Sequence, residues 1–137
     1  MSVLLRNRGD SRMEFVNTAR ELYVLTMKRC ANFPKRYMFF ITTKIVDSAD
    51  KVYTCVSAAN SISRPLNEHE WQMRRDYFIT ANAELDNIII RLNETPFPIA
   101  AKHMEEWMSM IDKEKRLIAG VQKKDLQNLA KLQKDND

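Results

Sequence analysis

Glycine and proline are scarce in this sequence, and their scarcity bears on the fold class. The chain of 137 residues contains 2 glycines and 4 prolines. Because sandwiches and barrels use both residue types at their many turns, this composition argues against an all-β fold. Helix-forming Leu, Ala, Met, Lys, Glu and Gln are abundant instead. The length corresponds to one domain.

Residue types that usually carry catalysis or bind metals are also few. The two histidines, His69 and His103, do not stand in the ExxH or HExxH spacings of metal-binding helices. Cys30 and Cys55 form no CxxC pair, so we interpret them as reduced thiols packed in the core. The chain has no glycine-rich phosphate loop. We therefore expect no catalytic residue, no metal site and no cofactor, and a protein that is not an enzyme.

Long apolar runs and a strong charge of one sign are both absent. No stretch approaches the roughly 18 apolar residues that a membrane span needs, and the first residues lack the apolar core of a signal peptide. We therefore expect a cytoplasmic protein that does not bind a membrane. The charge balance, 22 Lys and Arg against 18 Asp and Glu, gives a formal net charge of +4. Such a mild excess is compatible with nucleic-acid binding but does not require it.

Four stretches of apolar residues recur at helical spacing and are separated by prolines and polar residues. Their short connections predict an antiparallel, up-down-up-down four-helix bundle over residues 13–122. On either side we expect a basic flexible arm at residues 1–12 and a charged tail or helix extension at residues 123–137. The four predicted helices cover residues 13–32, 35–62, 68–93 and about 22 residues from position 98 or 99.

Bulky residues of the four apolar stripes are predicted to fill the core. The predicted core residues are Ile45, Val52, Val56, Trp71, Phe78, Leu85, Ile88, Trp107 and Ile111. The stripe of the second helix begins earlier, with Met38 and Ile41 in register with Ile45.

Further large apolar residues lie outside these stripes, more than one small bundle can bury. They are Val16, Tyr23, Val24, Phe39, Phe40, Ile79, Ile90 and Met108. Exposed apolar surface of that extent usually marks an interface, so we expect a homo-oligomer with cyclic symmetry.

Basic residues concentrate at the junction between the first and second predicted helices. In an up-down bundle the turn between the third and fourth helices lies at the same end. The candidate nucleic-acid-binding residues are therefore Lys28, Arg29, Lys35, Arg36, Arg91 and Lys102. Lys and Arg in such groups bind phosphates without sequence preference, and the nearby Tyr23, Tyr37, Phe39 and Phe40 are able to stack on bases.

A second basic cluster lies in the last predicted helix and is partly offset by acidic neighbours. Its cations are Lys113, Lys115, Arg116, Lys123 and Lys124, and the offsetting acids are Asp112, Glu114 and Asp125. For either cluster the alternative interpretation is a charged helix face that is simply solvated.

Several segments resemble the four helix bundle protein family of bacterial chromosomes and mobile elements. They are the turn Asn32-Phe33-Pro34-Lys35-Arg36, the segment Ala58-Ala59-Asn60, the run Arg75-Asp76-Tyr77-Phe78 and Trp107. That family includes the accessory variability determinant of diversity-generating retroelements. It also includes proteins encoded in intervening sequences of bacterial large-subunit ribosomal RNA genes. The resemblance covers about residues 13–120.

The resemblance implies a basic bundle that assembles into a pentameric ring. It also implies binding to the retroelement's reverse transcriptase and its RNA, without catalytic activity. Lys35 and Arg36 match the family's turn. We therefore expect a non-enzymatic accessory subunit that binds RNA or DNA without sequence preference. The alternative is a small protein-interaction module of a phage or mobile element, such as an inhibitor of a host defence system.

Overall fold

The computed structural model describes residues 13–135, which form four long α-helices. They are α1 (Glu14–Cys30), α2 (Thr43–Ser61), α3 (Glu68–Asn93) and α4 (Ala101–Asp135). No strand occurs in this range, which confirms the predicted all-α, four-helix class. The predicted basic arm and the last two residues lie outside the described residues.

Each helix packs against its neighbours in the chain, and α1 also packs against α4. Two ion pairs show the relative direction of α3 and α4. Arg74 pairs with Asp125, whereas Asp86, which lies later in α3, pairs with Lys115, which lies earlier in α4. These two helices are therefore antiparallel. The complete up-down-up-down order stays a prediction.

Apolar side chains at helical spacing fill the interior between the four helices. Eight of the nine predicted core residues are at most 1% exposed: Ile45, Val52, Val56, Phe78, Leu85, Ile88, Trp107 and Ile111. The buried Trp107 Nε1 donates a hydrogen bond to Thr26 Oγ1 at 3.0 Å, and Thr26 Oγ1 donates to the Leu22 carbonyl at 2.7 Å. Polar atoms in this part of the core are thus satisfied.

The ninth predicted core residue, Trp71, is only half-buried, so that prediction is wrong. It lies one turn before Arg74 and lines an open groove of about 330 Å³ between α3 and α4. Gln122 and Leu126 form part of the α4 side of this groove. This groove is open to solvent, so the Trp71 side chain is exposed on the side that faces it.

The predicted set of exposed apolar residues also needs correction. Val16 belongs to the core, and Tyr23 and Met108 pack against it partly buried. The remaining members are at least 48% exposed: Val24, Phe39, Phe40, Ile79 and Ile90.

The start of the second predicted helix departs from α geometry. A 3₁₀ turn at Lys35–Tyr37 and a π-helical turn at Met38–Thr42 precede α2. A π turn holds one more residue than an α turn, so residues before it rotate relative to the stripe that follows. Met38 is accordingly 44% exposed and does not continue the stripe of Ile45.

The third helix begins with an ordinary side-chain cap, and the fourth helix is longer than predicted. Asn67 Oδ1 accepts the Glu70 N–H at 2.9 Å at the start of α3, as its capping-box sequence indicates. The helix α4 runs through Gly120 and continues to Asp135. Within the described part of the chain, the predicted tail is thus a helix extension.

Three charged side chains are buried, Arg74, Glu84 and Glu114, and the surroundings of Arg74 and Glu114 differ most. Arg74 Nε donates to Asp125 at 2.7 Å, and its Nη1 donates to the Ala59 and Ile62 carbonyls at 2.7 and 2.9 Å. Glu114 is fully buried, and neither carboxyl oxygen has a hydrogen-bond partner among residues 13–135. Burial raises the pKa of Glu114 to about 8. Glu114 is one of the acids expected to offset the second basic cluster, but its buried carboxyl keeps its proton below about pH 8 and so adds little negative charge there.

Candidate nucleic-acid interface

The junction between α1 and α2 packs against the loop that joins α3 to α4. The Phe33 and Phe97 rings meet edge to face with centroids 4.8 Å apart, and Tyr37 lies 5.3 Å from Phe97. Phe33 also lies 6.1 Å from the buried Trp107. The two connections therefore share one end of the bundle, and aromatic contacts fix their relative position.

Backbone geometry at this junction presents two phenylalanines to solvent. Pro34 is extended, with φ −58° and ψ 130°, and separates α1 from the 3₁₀ turn. In the π turn the Thr43 N–H donates to the Met38 carbonyl, one residue farther back than in an α-helix. Phe39 and Phe40 are 80% and 71% exposed in this turn. π turns of this kind are frequent at functional sites.

The junction is also a segment without negative charge. From residue 22 to residue 46 the sequence has no Asp or Glu. Its cations are Lys28, Arg29, Lys35, Arg36 and Lys44. The exposed Lys44 was missed in sequence reasoning, although the absence of acids across this stretch was a visible signal for it.

The six sequence-predicted site residues have different environments. Lys28, Lys35, Arg36 and Lys102 are exposed, and Arg91 is half-buried in the last turn of α3. Among residues 13–135, none of these five forms an ion pair.

Arg29 differs from the other five because it is engaged within the protein. Its Nη2 donates to Glu106 Oε2 at 2.7 Å, and this hydrogen bond lowers the pKa of Glu106. The bond joins the end of α1 to the first turns of α4. Arg29 is therefore less available to a ligand than its neighbours.

Arg36 is exposed but already oriented. Its guanidinium carbon lies 4.9 Å from the centroid of the Tyr37 ring. This cation–π contact restricts the side chain without neutralising its charge. We call the exposed cations and rings of this region the junction surface: Lys28, Lys35, Arg36, Phe39, Phe40 and Lys44.

An open surface cavity of about 240 Å³ lies beside Lys35, between the end of α1 and the π turn. Thr42 Oγ1 is buried here and has no hydrogen-bond partner among the described residues. Cys30 also lines the cavity, and burial raises its pKa to about 12, so the thiol stays protonated and is a poor nucleophile.

The second basic cluster contrasts with the junction because three of its cations are paired with acids. The pairs are Lys113 with Glu14 at 3.8 Å, Arg116 with Asp112 at 3.2 Å, and Lys115 with Asp86. Lys123 and Lys124 are exposed.

The described residues contain neither a cluster of metal ligands nor a membrane-spanning helix. Within residues 13–135, no three or more His, Cys, Asp and Glu side chains are grouped to hold a metal ion. None of the helices described here combines the length and apolarity needed to cross a membrane.

Comparison of the chain with protein-family models, with curated proteins and with solved structures finds no match.

Proposed function

We propose that this chain is a non-enzymatic nucleic-acid-binding protein that binds its ligand through the junction surface. One observation carries the proposal: within residues 13–135, exposed cations that form no ion pair precede and follow two exposed phenylalanine rings in the sequence. Cations of this kind attract phosphates, and the rings offer faces on which bases stack. Since phosphate contacts carry no base information, binding is sequence-independent.

The position of the cations favours a polyanion over an ordinary protein partner. In the sequence the exposed Phe39 and Phe40 lie between Arg36 and Lys44, so positive charge precedes and follows the two rings along the chain. A nucleic-acid strand alternates aromatic bases with phosphates in the same manner. The exposed Lys102 and the half-buried Arg91 extend the positive surface toward the neighbouring loop.

The wider role proposed for the chain rests on the family resemblance. It is that of an accessory subunit that joins a reverse transcriptase and its RNA in the cytoplasm, within a cyclic homo-oligomer. The exposed Val24, Ile79 and Ile90 support self-association, because they remain uncovered in one chain. A ring would repeat the junction surface and add weak contacts through multivalency. Light scattering giving a 16 kDa particle at micromolar concentration would refute the oligomer.

Charge reversal at the junction tests the nucleic-acid role. Fluorescence anisotropy with a short labelled RNA is measured at low and moderate salt for the native chain and for the double variant Lys35→Glu, Arg36→Glu. The matched control is Lys123→Glu, Lys124→Glu, which makes the same charge change at exposed positions on α4. With four or five phosphate contacts, a fourfold rise in salt should weaken native binding by about 50- to 100-fold.

We expect the junction variant to lose binding and the control to keep most of it, both with native helical content. Equal losses would assign binding to net charge alone. If the native chain fails to bind at low salt, the exposed rings at the junction favour the alternative, a protein-interaction module that uses Phe39 and Phe40 as apolar anchors.

A further inference from the structure

We propose that the groove between residues 68–75 of α3 and residues 122–129 of α4 binds the same groove of a second copy of this chain, in a two-fold dimer. The inference rests on the self-association within the proposed function and names the surface that two chains share. It is drawn from the apolar lining of the groove and from two unpaired charges on either side of Trp71. We call this site the α3–α4 groove.

Apolar side chains form both a recess and a projection in the α3–α4 groove. Trp71 and Leu129 are half-buried in its lining, whereas Leu126 is 67% exposed. The recess has a volume of about 330 Å³. A two-fold contact brings identical surfaces together, so Leu126 of each copy is able to enter the recess of the other. Burial of these side chains supplies the affinity.

Charged side chains also line the α3–α4 groove, and one of them is already paired. Asp125 accepts the hydrogen bond of Arg74 at 2.7 Å. Glu68 and Arg75 are exposed, and within residues 13–135 neither forms an ion pair. One negative and one positive charge in the lining are therefore left for a partner.

The positions of these two charges make the groove complementary to itself. Glu68 and Arg75 lie two turns apart on α3, with Trp71 between them. A two-fold axis that passes near Trp71, perpendicular to α3, makes the two α3 helices antiparallel. Glu68 of each copy then lies opposite Arg75 of the other, so two ion pairs form at once. Exposed ion pairs contribute little affinity, but they favour this orientation over a parallel one, in which like charges would meet.

Exposed apolar side chains continue the surface on both sides of the charged pair. Ile79 is 48% exposed one turn after Arg75, and Leu66 is 81% exposed just before Glu68. When two α3 helices are antiparallel, the start of one lies beside the later turns of the other. Leu66 of one copy therefore approaches Ile79 of the second copy. Symmetry supplies this match for a second copy, whereas an unrelated protein would need its own matching pattern.

The dimer leaves both junction surfaces free. The α3–α4 groove lies at the start of α3, and the junction packs against the loop that follows the end of α3. Two antiparallel α3 helices that meet at their starts carry the two junctions to opposite ends of the dimer. One nucleic-acid strand is then able to bind two separated surfaces, which raises the affinity through multivalency.

Exchange of the two charges tests the predicted contact. Sedimentation velocity is measured over a range of chain concentrations for the native chain, for Glu68→Arg, for Arg75→Glu and for an equal mixture of the two variants. We expect the native chain to associate at micromolar concentration to twice the chain mass of 16.1 kDa. Each single variant places like charges opposite each other and should weaken the dimer roughly tenfold.

The mixture of the two charge variants should recover the native affinity. In the mixed dimer the two substituted positions face each other with opposite charges, and the two unsubstituted positions pair as in the native dimer. Circular dichroism and thermal unfolding establish that each variant folds. Recovery on mixing excludes a loss of folding as the cause of the weaker association.

Leu126→Asp tests the apolar part of the contact. A charge at this position would be buried against Trp71 in the dimer, so we expect the affinity to fall by more than about tenfold. Gln127→Asp is the matched control, because Gln127 is exposed on the same helix and does not line the groove. Acrylamide quenching of tryptophan fluorescence gives a second measurement. Trp107 is fully buried, so a fall in quenching as the native chain associates reports the covering of Trp71.

Three results would overturn the inference. Association that neither Leu126→Asp nor the charge variants weaken would place the contact elsewhere and leave the oligomer of the proposed function intact. A native chain that stays monomeric at micromolar concentration would overturn the inference and that oligomer together. If the chain is monomeric and deletion of residues 1–12 increases the quenching of Trp71, the groove binds that segment instead. Anisotropy with labelled RNA reports the nucleic-acid role separately, and a failure there leaves the dimer unaffected.

Discussion

The two ends of this bundle use their cations in opposite ways. At the end where α2 finishes, Arg74 lies inside the protein and makes three hydrogen bonds of 2.7 to 2.9 Å, to Asp125 and to two α2-end carbonyls. At the junction end, Lys35 and Arg36 are exposed, and no ion pair joins them to another described residue. Burial and partners make a cation part of the fold, and exposure without partners leaves it available to a ligand.

Substitution of Arg74 is expected to have the largest effect on stability, and it tests whether the buried cation differs from the exposed ones. Arg74→Met should lower the free energy of unfolding by about 3–5 kcal/mol, because Asp125 and the carbonyls of Ala59 and Ile62 lose their shared donor. Arg75→Met, at the exposed neighbouring position, is the control and should cost less than about 0.5 kcal/mol. Urea unfolding measures both. A loss below about 1 kcal/mol for Arg74→Met would place Arg74 with the solvated cations.

Glu114 provides a second large effect on stability, since its buried carboxyl has, among residues 13–135, none of the hydrogen-bond partners that Arg74 has. Its pKa rises from an ordinary 4.5 to about 8 in the folded protein because of burial. The folded state therefore holds a proton that the unfolded chain releases, and stability should fall as the pH rises from 4.5 to 8. The fall should amount to at most about 4 kcal/mol.

Glu114→Gln should flatten this pH dependence and raise stability at pH 8, because the amide does not ionise. Glu105→Gln, at an exposed position on the same helix, should leave the slope unchanged. Urea unfolding at several pH values gives the result. A native chain whose stability rises between pH 5 and 8 would contradict the burial of an unpaired carboxyl.

Helix periodicity made most of the fold predictable, and the exceptions have physical causes. Val52, Val56, Phe78 and Leu85 were assigned to the core from spacing alone, and they are fully buried. Met38 was misplaced, because a π turn changes the phase of a stripe without a distinctive residue pattern.

Glu114, expected to offset the second basic cluster, is buried for a reason that its position in the sequence shows. It lies three residues after Ile111 and four before Ile118, on the same buried stripe of α4. That spacing was visible in the sequence and would have located it correctly.

The candidate site was predictable in location but not in detail. Charge predicted the cluster of cations around Lys35. The order of the helices predicted that this cluster lies at the same end of the bundle as the turn near Arg91 and Lys102. Neither the ion pair of Arg29 with Glu106 nor the cavity at Thr42 followed, because both depend on tertiary contacts across helices.

The smallest expected effect is a gain in stability from a substitution in the α4 extension, which should leave the junction surface unchanged. Gly120 lies within α4, is exposed, and a methyl group there meets no atom within 4 Å. Gly120→Ala should therefore stabilise the protein by about 0.5–1 kcal/mol through helix propensity and chain entropy. Thermal unfolding measures the gain, and nucleic-acid binding should stay native. A loss of stability would show that α4 is strained at this position.

The salt dependence of binding tests most directly whether the junction cations contact phosphates. Each phosphate contact to a single strand contributes about 0.7 to the slope of log affinity against log salt concentration. The neutral variant Lys35→Gln, Arg36→Gln should therefore lower the slope by about 1.4, and Lys123→Gln, Lys124→Gln should leave it unchanged. Equal slopes for the native chain and the junction variant would contradict the account.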